Sequence, residues 1–158
     1  RFNLGVAYHK VGDFRRATKH LEHLFQRYPG YPGVDHGLSQ AYFARGLTLL
    51  QARKPAVALG FFLKSEELGK DAANIHYAEG LAHLRLEDLA AAEVAFITAV
   101  GLDEDHVPAL HNLAHVLDLT GRTEDAVVYY RRVSELTPHL DTIEAARDAT
   151  YDEQILLD

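Results

Sequence analysis

The sequence predicts an all-α solenoid of four helix-turn-helix repeats followed by a C-terminal capping helix, and three observations predict it. The first is a fixed period. Gly46, Gly80 and Ala114 stand 34 residues apart, as do Ala58, Ala92 and Ala126. The second is that a ring and a short residue keep the same step, at Phe62, Phe96 and Tyr130 and at Ser65, Ala99 and Val133. A period of this length is the mark of stacked helix pairs, each of which needs a neighbour to cover its apolar face. The third is physical fit. Small residues on both helices of a pair let two antiparallel backbones approach, and the ring then fills the gap to the next repeat.

The first repeat runs from Arg1 to about Pro29, with helices over Phe2 to Val11 and Phe14 to Tyr28 joined at Gly12-Asp13. Pro29-Gly30-Tyr31-Pro32-Gly33 is the strongest break in the chain, because Pro lacks a backbone donor and Gly permits positive φ. Gly5 and Gly46 are 41 residues apart, as are Ala17 and Ala58, so seven extra residues enter here. Seven residues is about two helical turns. A longer helix from about Val34 to Ala52, with Asp35 in its first turn, accommodates them economically; an extended loop across one face is the alternative. The second repeat (about 34–69) turns at Arg53-Lys54-Pro55, where Pro55 starts a helix reaching Leu68 and Gly69 caps it. The third (about 72–103) has helices over Ala72 to Leu86 and Leu89 to Leu102. The fourth (about 107–138) has helices over Val107 to Thr120 and Thr123 to Leu136, with Gly121 at the turn and Pro138 as the stop. The tail, Leu140 to Leu157, reads as one acidic helix: either the solvating cap that an open-ended solenoid requires or the degraded first helix of a fifth repeat. Residues 1–158 are therefore expected to form one domain. With no Met, and with Gly5 already deep in the first helix, the chain reads as a fragment or a processed form.

Asn3-Leu4-Gly5-Val6-Ala7-Tyr8, Gly12-Asp13-Phe14 and Ala17, the small-residue series above, and Gly121-Arg122 with Ala126 and Pro138 give the chain its likeness to a known family: it resembles the tetratricopeptide repeat (TPR) proteins over roughly residues 1–138. The resemblance implies a right-handed superhelix whose first helices line a concave face. It places the groove at Phe2, Val6 and His9, then Phe43, Leu47 and Leu50, then Tyr77, Leu81 and Leu84, then His111, His115 and Asp118. The first three sets make an apolar and aromatic strip and the fourth a polar end. A strip of that kind fits an amphipathic helix or a peptide with apolar anchors. TPR domains that clamp the acidic C-terminus of chaperones carry Lys and Asn at positions occupied here by Phe2 and Val6, with further polar and basic residues where Tyr77 and His111 stand. An acidic tail is therefore a poor candidate ligand.

Composition narrows the function classes. A net charge of −7 argues against nucleic acid as the main partner. No apolar run approaches the roughly 20 residues that cross a bilayer. With zero Cys there is no thiol or disulfide chemistry, and no Gly-rich phosphate loop or nucleophile elbow appears. The expected role is a non-catalytic adaptor that binds a protein or peptide, with no cofactor and no metal. His111, His115 and Asp118 share one helix face and offer two imidazoles and a carboxylate, but the reading preferred is a polar groove lining. His76 and His83 are expected as interior hydrogen-bonded imidazoles; His20, His23 and His36 are expected at the surface. Residues 1–30 hold six basic residues against two acidic ones, whereas the tail is acidic, so head-to-tail association of copies is a further expectation. A regulatory segment of a larger enzyme is the alternative class. Because Ala92 belongs to the small-residue series, Ala92→Leu should overpack the helix pair and cost about 1–3 kcal/mol, read as a lower denaturant midpoint at unchanged m.

Overall fold

The structure, a computed structural model, describes residues 2–69 and 71–138. Among these residues there are eight α-helices and no strand: α1 (Phe2–Lys10), α2 (Phe14–Arg27), α3 (Val34–Gln51), α4 (Pro55–Leu68), α5 (Ala72–Arg85), α6 (Leu89–Leu102), α7 (Val107–Leu119) and α8 (Thr123–Leu136). Every helix starts and stops within a residue of where sequence punctuation puts it. The tail read as a cap or a fifth repeat lies outside the described residues. No helix among the described residues is long and apolar enough to cross a membrane.

The turns inside the four pairs share one backbone design. At each, an amide bonds the carbonyl five residues back: Asp13 to Tyr8 at 2.9 Å, Lys54 to Leu49 at 2.9 Å, Asp88 to His83 at 3.0 Å and Arg122 to Leu117 at 2.8 Å. The residue before each donor takes the left-handed conformation that this closure demands. Gly12 and Gly121 do so at φ +79° and +80°, and Arg53 and Glu87 do so at 58° and 59° despite their side chains. Asp13 and Asp88 then cap the following helices, accepting from the amides of Arg16 and Ala91. His106 does the same for α7, accepting from Ala109 through Nδ1 at 3.1 Å.

Four of the seven extra residues lengthen a helix and the other three lengthen the link that precedes it. α3 is 18 residues long against 14 for α5, and its added turn is anchored by Val34, with Leu38 just after it, each 1% exposed. Pro55 opens α4, where its missing donor costs least.

The chain divides into two compact units, Arg1–Ile75 and His76–Asp158. In the first, Ala17, Leu21, Leu38, Ala41 and Tyr42 form a core against which Phe2, Tyr8, Phe25, Phe61 and Leu68 pack. In the second, Ala92, Phe96, Leu113, Ala114, Leu117 and Ala126 do so, with Tyr77, Leu81 and Leu84 packed on them. One contact recurs in both units. A Cβ added to Gly46 would lie 2.4 Å from Phe62, and one added to Gly80 would lie 2.4 Å from Phe96. In the first repeat, Leu21 takes the ring's place, 2.8 Å from a Cβ added to Gly5. The ring therefore seats first on the glycine of its own repeat. The expected filling of the gap to the next repeat is also seen, since Phe96 joins Leu113 and Ala114 of the following helix.

Gly69 is the C-terminal cap of α4, as expected, its amide donating to the Glu66 carbonyl. It caps α4 in extended conformation, φ −99°, so left-handed backbone is not why glycine stands there. A Cβ at Gly69 would lie 2.3 Å from the Ser39 hydroxyl. That hydroxyl donates to the Ser65 carbonyl at 2.9 Å, while the Ser65 hydroxyl donates to the Ser39 carbonyl at 2.8 Å. Glycine at 69 leaves room for this reciprocal bond between α3 and α4.

Two glycines separate packing from propensity. Gly46→Ala should lower stability by about 1–3 kcal/mol in spite of its helical gain, because Phe62 must move. Gly60→Ala in exposed α4 meets no atom within 4 Å and should raise stability by about 0.5–1 kcal/mol. Chemical denaturation of both variants checks the pair.

Candidate functional site

On the first unit one face of α3, which begins in its added turn, builds one wall of a pocket. His36, Gln40, Phe43 and Leu47 recur at steps of four, three and four, so they share one helix face. The pocket has a volume of about 340 Å3, and besides these four it is lined by His9, Ala44 and the start of α5 at Asp71, Asn74 and Ile75. Its apolar wall is held from behind. Buried Phe62, seated on Gly46, packs its ring 5.9 Å from that of Phe43. The Ser39–Ser65 bonds fix α3 to α4 at the pocket's base. His9 closes the α1 side, its ring edge-on to Phe14 at 5.3 Å. At the α5 side the Asn74 amide donates to Asp71 at 2.9 Å.

Of the residues expected in the groove, the structure thus brings His9, Phe43 and Leu47 together. Phe2 and Val6 are half-buried, with Phe2 packed on the first unit's core and 5.9 Å from the Tyr31 ring. Leu50 is a correction. It is 1% exposed, a core residue with no surface left for a ligand.

In the second unit Tyr77, Leu81 and Leu84 are half-buried against the Phe96–Leu113 core, with the Tyr77 ring 6.0 Å from Phe96 and 5.0 Å from His106. Their apolar area is partly spent inside the unit, which narrows the greasy strip the sequence suggests. His111 is half-buried, its ring 5.8 Å from Tyr130; burial, then the neighbouring His115, lowers its pKa below the ordinary imidazole value. His115 and Asp118 are exposed. The Asp118 carboxylate accepts a hydrogen bond from the Tyr130 hydroxyl, whose pKa is raised by burial first and then by that carboxylate. Asp118 is therefore turned to Tyr130. His76 is half-buried with Nδ1 2.9 Å from Glu79, and His83 is half-buried 4.0 Å from Asp88. His23 and His36 are exposed, but His20 is half-buried, stacked on Tyr8 at 5.4 Å.

Sequence reasoning missed His36, Gln40, Asp71, Asn74 and Ile75. The first two were detectable, because they continue the Phe43–Leu47 face along the lengthened helix. The others were not, since nothing in the repeat phase says that the start of α5 reaches this pocket.

Two Tetratricopeptide repeat models match the sequence, one over residues 73–106 and the other over residues 109–144. The chain belongs to the tetratricopeptide repeat family. Among solved structures, MamA of AMB-1 is 26% identical with a TM-score of 0.64, over 92% of this chain and 75% of that one. The first TPR of Spaghetti (RPAP3), bound to the HSP90 peptide SRMEEVD, is 22% identical with a TM-score of 0.63, over 76% of this chain and 96% of that one; it shares the fold. The human protein O-mannosyl-transferase TMTC3 is 30% identical over 123 residues, 77% of this chain. The chain spans 13% of that relative's length. The TPR repeats and these neighbours support a protein–protein interaction scaffold in general, a class of fold that is typically non-catalytic.

His111 gives the second unit a pH dependence. Its folded pKa is lowered, so the unfolded chain binds the proton more readily. The stability it contributes is complete above about pH 6.5 and is lost as pH falls through the lowered value. His111→Gln should flatten the decline of the urea midpoint between about pH 7.5 and about pH 5, and an unchanged decline would assign it to other groups.

Proposed function

We propose that the chain is a non-catalytic adaptor that binds a peptide or an amphipathic helix of a partner protein, with the pocket between α1, α3 and the start of α5 as its principal seat. The single observation carrying this reading is the pocket itself. A concave apolar wall of Phe43, Ala44, Leu47 and Ile75 is edged by His9, Gln40, Asp71 and Asn74. This combination suits a side-chain anchor with polar backbone contacts around it. Support also comes from the RPAP3 domain, which shares the fold and holds a peptide. Phe2 and Val6 are proposed as flanking contacts on the first unit, and Tyr77, Leu81, Leu84, His111, His115 and Asp118 as a contact face of the second unit taken by itself.

A second reading, that this array is one segment of a larger enzyme or assembly, is favoured by the likeness to a transferase matched over 13% of its length. Sizing the product of the full reading frame tests it; a product no longer than 158 residues overturns it.

The adaptor reading is tested by panning a random heptapeptide display library on the folded chain. Selected peptides should bind Leu47→Asp about tenfold or more weakly while its circular dichroism and unfolding midpoint stay close to wild type. Equal binding by Leu47→Asp would move the site elsewhere. Tyr77→Ala is not a clean test, because Tyr77 packs on Phe96.

A further inference from the structure

Resting on that reading, the pocket's chemistry narrows the ligand. Its floor and wall are hydrocarbon and aromatic. Its edge, among the described residues, carries the Asp71 carboxylate and neither Lys nor Arg. Asp71 is exposed one residue ahead of α5, with one of its oxygens accepting from Asn74. A ligand that buries an apolar side chain on Phe43 and Leu47 meets this carboxylate on the lining of the same pocket, where a cation gains and an anion loses. The polar remainder, His9, His36, Gln40 and Asn74, supplies hydrogen-bonding edges for a peptide backbone.

We propose that the pocket selects an apolar or aromatic anchor residue with Lys or Arg beside it, and rejects acidic peptides. The cation's place is at Asp71 and the anchor's is against Leu47. The preference runs opposite to the acidic SRMEEVD peptide held by the RPAP3 domain of the same fold. It agrees with the absence of clamp-type residues at Phe2, Val6, Tyr77 and His111.

The test uses the panned library together with two fixed probes, SRMEEVD and the same peptide with its three acidic residues replaced by Lys. Selected peptides should be enriched in an apolar residue next to Lys or Arg, and the Lys-substituted probe should bind more tightly than SRMEEVD. Asp71→Asn keeps a helix-capping side chain and removes the charge. It should weaken the selected basic peptides about three- to fivefold, the scale of one exposed ion pair, and should bring the two probes closer together. Raising salt should shrink the same difference. Three results separate the claims. If selected peptides lose binding in Leu47→Asp but show no basic enrichment and no response to Asp71→Asn, the charge preference is wrong and the adaptor reading stands. If SRMEEVD binds as well as its Lys counterpart, the preference is likewise overturned. If Leu47→Asp changes nothing, both fall together.

Discussion

A phenylalanine ring laid on a glycine is the contact on which the remaining structure depends. At Gly46 and Gly80 the space a methyl group would take is already occupied by Phe62 and Phe96. Each ring is fully buried. A buried ring removes a large apolar area from water, and its seat on bare backbone draws the two helices of a pair together. The conformational freedom that glycine loses inside a helix, about 1 kcal/mol relative to alanine, is offset by this approach. The other small residues, Ala17, Ala58, Ala92 and Ala126, follow the same logic on the second helices, where each is 0% exposed.

From this contact the path to the site is short. Phe62 supports Phe43, Phe43 forms the pocket wall, and the paired serines hold the base of that wall to α4. The pocket is thus an outgrowth of the packing core. Its apolar wall is built on helices, so in the proposed role it would need little ordering, which favours affinity.

The fold was legible because its determinants are local and repeated. The 34-residue phase, Pro55 and the turn residues set the helix bounds, and the 41-residue spacing pointed to a longer α3. The site was legible in part. The offsets carried over from the family put His9, Phe43 and Leu47 where they line one pocket, but burial is not encoded in an offset. Leu50 obeys the same rule and lies in the core, and Tyr77 obeys it and spends its ring on Phe96 and His106. Gly69 shows the limit differently: a glycine at a helix end suggests left-handed backbone, and only the Ser39 hydroxyl beside it explains the residue. Arg53 and Glu87 carried no glycine to mark a left-handed turn, yet they adopt one, since the helix closure around them decides the backbone.

The lengthened α3 bears on how such an array can change over generations. A uniform 34-residue unit duplicated or exchanged in place of residues 34–69 would preserve the seat of the ring, and with it the register of the stack. It would also delete the added turn that carries His36. The seat of the ring is therefore interchangeable between units, whereas the pocket proposed for binding belongs to one irregular member, so shuffling repeats would change its lining before it harmed the scaffold.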